Sequence, residues 1–174
     1  MPSVRRALAL LLLSGLSTCG GSSNPAAPSG PAQIAGVYTG RVTPMTITGG
    51  ECVGVQKQSA VGTSARVFVG IQQSGSSLLA TVLGDGIDCT YSGSVGITTM
   101  SLTLQSCQVP ADVSIKCGNG AIRDIQIVAG AFTGTVIDTR IEGTEDETWN
   151  TFVSGTTTAT GPMVINGKFD IYRH

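Results

Sequence analysis

A chain of 174 residues makes one domain of ordinary size and is too short for two substantial ones. Ten Lys and Arg stand against eleven Asp and Glu, so the composition lacks the basic excess that a nucleic-acid partner demands. The single histidine, His174, is the last residue, which argues against catalytic dyads, triads and zinc sites built on histidine.

The first element is an export signal. Arg5 and Arg6 precede Ala7 to Leu16, an apolar run of about ten residues, the length of a signal h-region. A spanning helix needs roughly twice that. The run is greasy on every side and gives way to small residues, unlike the amphipathic stripe of a buried core helix. Leu16-Ser17-Thr18-Cys19 closes it. These four residues resemble the lipobox of bacterial lipoproteins, with Thr18 where Gly, Ala or Ser is usual. The resemblance implies that Cys19 is acylated and becomes the new N-terminus. An ordinary signal peptide cleaved nearby would instead leave Cys19 as an odd thiol. By the same resemblance, the lack of Asp directly after the cysteine implies anchoring to the outer membrane, facing the periplasm or the surface.

From Gly20 to Pro31 there is no large apolar side chain, so this segment cannot offset its ordering entropy and reads as a flexible tether. The organisation is therefore a signal peptide at 1–18, a lipidated cysteine and linker at 19–32, and one domain at 33–174. Without Arg5 and Arg6, eight basic residues remain against eleven acidic ones, and the exported form is mildly acidic.

Beyond Gln33 the apolar period is two. Ile87, Cys89, Tyr91, Gly93 and Val95 alternate with polar residues, as do Met100, Leu102 and Leu104. Near the end, Met163, Ile165, Gly167, Phe169 and Ile171 form a third such series. Tight turn signals lie between the runs: Gln73-Ser74-Gly75-Ser76, Gly84-Asp85-Gly86, Gly118-Asn119-Gly120 and Thr160-Gly161-Pro162. Short strands joined by local turns predict an all-β, antiparallel up-and-down meander of about eight strands. The segment from Arg140 to Ala159 is the hardest to divide.

Cys52, Cys89, Cys107 and Cys117 form an even set in an exported domain, which predicts two disulfides. No pair has Cys-x-x-Cys spacing, so a zinc site is disfavoured. If the hairpin joining Asp88–Val95 to Met100–Ser106 turns between Ile97 and Thr98, Cys107 lies opposite Asp88. Cys89 then faces the other side of the sheet, because one residue of register reverses the face. That reasoning predicts Cys107–Cys117 and Cys52–Cys89, and disfavours Cys89–Cys107.

Tyr38-Thr39-Gly40-Arg41-Val42, Tyr91-Ser92-Gly93-Ser94-Val95 and Phe132-Thr133-Gly134-Thr135-Val136 repeat one pattern: aromatic, Ser/Thr, Gly, any residue, Val. Aromatic, Gly and Val share a face. A glycine kink beside an aromatic suits a sheet that curls until it closes, so the expected architecture is a small β-barrel. A β-sandwich would bury the same stripe and is the alternative. A membrane-spanning barrel would need aromatic girdles, which eight aromatic residues do not supply. Gly36-Val37-Tyr38 at the start of the first strand resembles the Gly-x-Trp opening of the lipocalin–avidin (calycin) family. That resemblance implies an eight-stranded barrel in which Arg173 lies over Tyr38.

Candidate chemistry is sparse. Glu142, Glu145, Asp146 and Glu147 are the densest charge cluster, without the ligand spacing of a calcium loop, and read as a solvated turn. Asp85-Gly86-Ile87-Asp88 reads as hairpin chemistry. No Gly-x-Ser-x-Gly elbow or phosphate loop is present. The expectation is a non-enzymatic, lipid-anchored envelope protein without metal or cofactor. Its barrel would take a small, mostly apolar ligand against Tyr91, Val95, Leu102, Leu104, Phe132 and Val136. The alternative is an inhibitor or structural module that meets a protein partner, with 140–159 as the contact surface.

Overall fold

The computed structural model describes residues 29–50, 62–116 and 120–174. Nine strands follow one another, with no helix among the described residues. They are β1 (Gly36–Gly49), β2 (Ala65–Ser74), β3 (Ser77–Gly84), β4 (Ile87–Val95), β5 (Thr99–Gln108), β6 (Ser114–Lys116), β7 (Ile122–Ile137), β8 (Arg140–Val153) and β9 (Ala159–Arg173). Each of β1 to β5 pairs with its neighbour, β9 returns to β1, and β5 pairs with β7. Eight antiparallel strands therefore close into an up-and-down barrel, and β6 adds only a short rung on the start of β7. Closure through β1–β9 and β5–β7 rules out the sandwich.

The glycine pattern is what closure requires. A β-carbon on Gly40 would collide with the Asp170 carbonyl, and one on Gly93 with the Ser101 carbonyl. Neighbouring backbone thus approaches more closely than any other residue would allow. The Asp85-Gly86 turn between β3 and β4 has φ of 49° and 82°, the positive pair that a tight hairpin needs.

The wall is uneven. β1, β7, β8 and β9 run to 14, 16, 14 and 15 residues, whereas β2 to β5 have 8 to 10. One end is consequently half-walled. The other end is plugged by Ile34, which is 1% exposed. The Ile34 carbonyl accepts from the Tyr38 hydroxyl at 2.8 Å, and Gln73 takes the Ile34 amide at 2.8 Å and gives its own amide to Ala32 at 2.8 Å.

The hairpin of β4 and β5 corrects the cysteine pairing. Its register agrees with the sequence reading from Val95↔Met100 to Tyr91↔Leu104. Beyond that, Gln105 bulges and the partners become Thr90↔Ser106 and Cys89↔Cys107. One extra residue brings the two cysteines onto the same face. The disulfide is Cys89–Cys107, so neither Cys107–Cys117 nor Cys52–Cys89 forms. Cys52 and Cys117 lie outside the described residues, as do Cys19 and the signal segment.

Candidate functional site

All six residues expected to face inward do so. Tyr91, Val95, Leu102 and Phe132 are buried, and Leu104 and Val136 pack against the same core. Phe132 is central: its ring meets Tyr91 edge-on at 5.0 Å and Phe169 edge-on at 5.3 Å. Such pairs are favoured geometry for aromatic rings. Between Val69, Val82, Met100, Phe132 and Ile171 a cavity of about 20 Å³ remains. That holds one water at most, and its apolar lining offers that water no partner. An apolar guest seated among these residues would have to displace side chains.

Toward the half-walled end the interior turns polar, and the cause is the alternation of β8. Ile141, Gly143, Glu145, Glu147, Trp149 and Thr151 share one parity, and Ile141, Glu145 and Thr151 are buried. The acidic run is therefore a strand rather than a solvated turn. Glu142 faces outward, where it pairs with Arg140 at 2.6 Å, and Asp146 accepts from Asn166. Glu145 and Glu147 face inward, and each has a glycine opposite it, Gly167 and Gly130 respectively. A β-carbon on Gly167 would strike Glu145 Oε1, and one on Gly130 would sit 3.2 Å from the Tyr91 hydroxyl. The missing side chains make the room that these polar groups occupy.

The two carboxyls differ. Glu147 accepts from the Tyr91 hydroxyl at 3.1 Å and from Trp149 Nε1 at 2.8 Å. Burial raises its proton affinity, and the two hydrogen bonds oppose that rise. Glu145 is 3% exposed. Burial, with the neighbouring charges of Glu147 and Asp146, pushes its carboxyl up to about 8. Near neutral pH it therefore holds a proton. The same surroundings push the Tyr91 hydroxyl well above its ordinary range. Among the described residues no cation pairs with either acid, and no three His, Cys, Asp or Glu gather as metal ligands. The alternation from Ile141 to Trp149 was the signal that placed these acids, and the density of charge concealed it.

At the plugged end Arg173 stands opposite Tyr38 in the β1–β9 register. Its guanidinium lies over Gly36, with Nε 2.8 Å from where a β-carbon would stand, and donates to the Gln33 carbonyl at 3.4 Å. Its charge draws down the Tyr38 hydroxyl, though burial raises it more. His174 lies on the outside, its Nε2 2.6 Å from the Thr39 hydroxyl.

A wide concavity lies outside. An open groove of about 1070 Å³ runs over β1, β8 and β9 beside the start of β2, with Arg41, Arg66, Arg140, Glu142, Lys168 and Asp170 among its lining. Its floor includes backbone at Gly40 and Gly143. Neither protein-family models nor curated proteins give a match to the sequence.

Proposed function

We propose that this chain is an exported lipoprotein, held to the outer membrane through acyl groups on Cys19, whose calycin-like barrel binds through its outer surface and performs no catalysis. The anchor rests on the charge, apolar length and terminal cysteine of the first nineteen residues. The calycin likeness draws support from eight up-and-down strands and from Arg173 placed beside Gly36 and Tyr38. The observation that carries outer-surface binding is the contrast in room between a cavity of about 20 Å³ in the apolar core and an open groove of about 1070 Å³ outside. Ligand sites ordinarily offer about 300–1,000 Å³.

The second reading, a small and mostly apolar ligand within the barrel, is favoured by the polar inner end. There Tyr91, Glu147 and Trp149 could fix a ligand's head while its body displaces core side chains. Metabolic labelling with an alkyne-tagged palmitate tests the anchor: label is expected on the native chain and absent from Cys19→Ala. Equal labelling of both chains, or of neither, would defeat the anchor. Titration with a hydrophobic fluorophore separates the two binding readings. No saturable binding is expected, and a saturable site abolished by Phe132→Trp would establish the interior instead.

A further inference from the structure

Four of the eight cations that remain after the signal segment line the outer groove. The strand register assembles them. Arg66 stands opposite Arg41, Arg41 opposite Asp170, and Asp170 opposite Glu142. Both acids of this row are occupied by Arg140. It grips Asp170 with two hydrogen bonds, at 2.7 and 2.9 Å, and meets Glu142 at 2.6 Å. Tyr172 adds a third bond to Asp170 at 2.9 Å, and the Arg140 guanidinium lies 5.5 Å from the Tyr172 ring. That corner keeps one net negative charge, against the three positive charges of Arg41, Arg66 and Lys168, so the groove as a whole is cationic.

Arg41, Arg66 and Lys168 are exposed and have no acid partner among the described residues. Two guanidiniums directly opposite on a sheet repel, so this placement costs stability unless an anion lies between them. The Arg66 side chain is held on the Phe68 ring at 5.5 Å, which steadies one donor. Around the cations stand hydroxyls: Thr43 bonded to Ser64 at 2.8 Å, and Thr144 across from Lys168.

We propose that this groove binds a multiply anionic sugar, one bearing phosphate or sulfate groups. Arg41 and Arg66 would grip one such group in the forked geometry that guanidinium gives to phosphate and sulfate oxygens. Lys168 meets a second as a point charge. The Thr43, Ser64 and Thr144 hydroxyls and the Tyr172 ring face the sugar. The acidic net charge of the exported chain conceals the site, because it is a local excess. The inference rests on the outer-surface reading and names its partner class. A guest recovered from the barrel axis would defeat that reading without bearing on the groove, which the following titration tests alone.

The test is calorimetric titration of the full chain in detergent, at low salt, with glucose 1,6-bisphosphate, sucrose octasulfate, inorganic phosphate and unmodified glucose. A dioctanoyl phosphoinositide supplies the arm in which the same chemistry comes from a lipid headgroup. Saturable binding is expected for the multiply anionic sugars and not for glucose, and it should weaken as salt is raised. Tighter binding of the phosphoinositide than of the soluble sugars would assign the source to a membrane lipid, and the reverse to a free sugar. Arg41→Gln, Arg66→Gln and Lys168→Gln should each weaken binding about tenfold. Arg173→Gln, which removes one charge away from the groove, should leave it unchanged. The proposal is overturned if no anionic probe binds, or if all four substitutions weaken binding alike, which would be the mark of net charge alone. Because the three groove side chains are exposed, and losing Arg41 or Arg66 relieves their repulsion, none of these substitutions should lower the melting temperature, and that measurement shows the variants are folded.

Discussion

Replacing Glu145 by Gln removes a titration that the barrel interior holds at about 8, against an ordinary value of 4.5. Between those two pH values the folded chain keeps the proton and the unfolded chain has lost it. Unfolding free energy then falls as pH rises, by about 1.4 kcal/mol per pH unit. The contribution is fully present below pH 4.5 and gone once pH passes 8. Over the whole interval it amounts to at most about 5 kcal/mol, which is comparable with the total stability of many domains. From pH 5.5 to 7.5 the expected loss is about 3 kcal/mol. Urea unfolding at those two pH values measures it directly, with the m-value as the check that the same surface is exposed. Glu147 is raised in the same direction, so the Glu145→Gln chain should show a shallower slope rather than none. It should also be the more stable protein at pH 7.5. A Gln variant that loses as much stability as the native chain between the two pH values would refute the assignment.

Three further outcomes follow from the packing and the register. Phe132→Ala should cost about 3–5 kcal/mol, because it removes the ring between Tyr91 and Phe169. It should also enlarge the apolar void enough to admit benzene, which methyl shifts in NMR would report. Gly93→Ala should lower the melting temperature sharply, since a methyl there meets the Ser101 carbonyl, whereas Gly70→Ala has open space and should not. Non-reducing peptide mapping should join Cys89 to Cys107, and Cys107→Ser should cost about 3 kcal/mol for a loop of 18 residues; a peptide joining Cys52 to Cys89 would contradict the register.

Much of the barrel was legible because its residues report on their own neighbourhood. The aromatic-x-Gly-x-Val pattern marks Gly40, Gly93 and Gly134 as places of close approach, and backbone or ring atoms crowd all three. The period of two assigned faces correctly wherever polar and apolar residues alternate. It failed at Gln105, because a bulge inserts one residue without any residue type that demands it, and every pairing beyond then shifts. It failed again at Glu145 and Glu147, where inward positions carry charges and the alternation is one of geometry rather than polarity. The outer groove was not legible at all. Arg41, Arg66, Arg140 and Lys168 are scattered along the chain, and only the pairing of β1 with β2 and β9, and of β9 with β8, gathers them.

The central claim is a membrane-held barrel whose interior is full and whose binding surface lies outside. Native mass spectrometry of the protein released from its own membrane into detergent tests both halves at once. The account predicts a mature chain beginning at Cys19, heavier by its acyl groups, with no stoichiometric small molecule retained inside the barrel. A chain without acyl mass, or one carrying an apolar guest at one-to-one stoichiometry that Phe132→Trp expels, would contradict it.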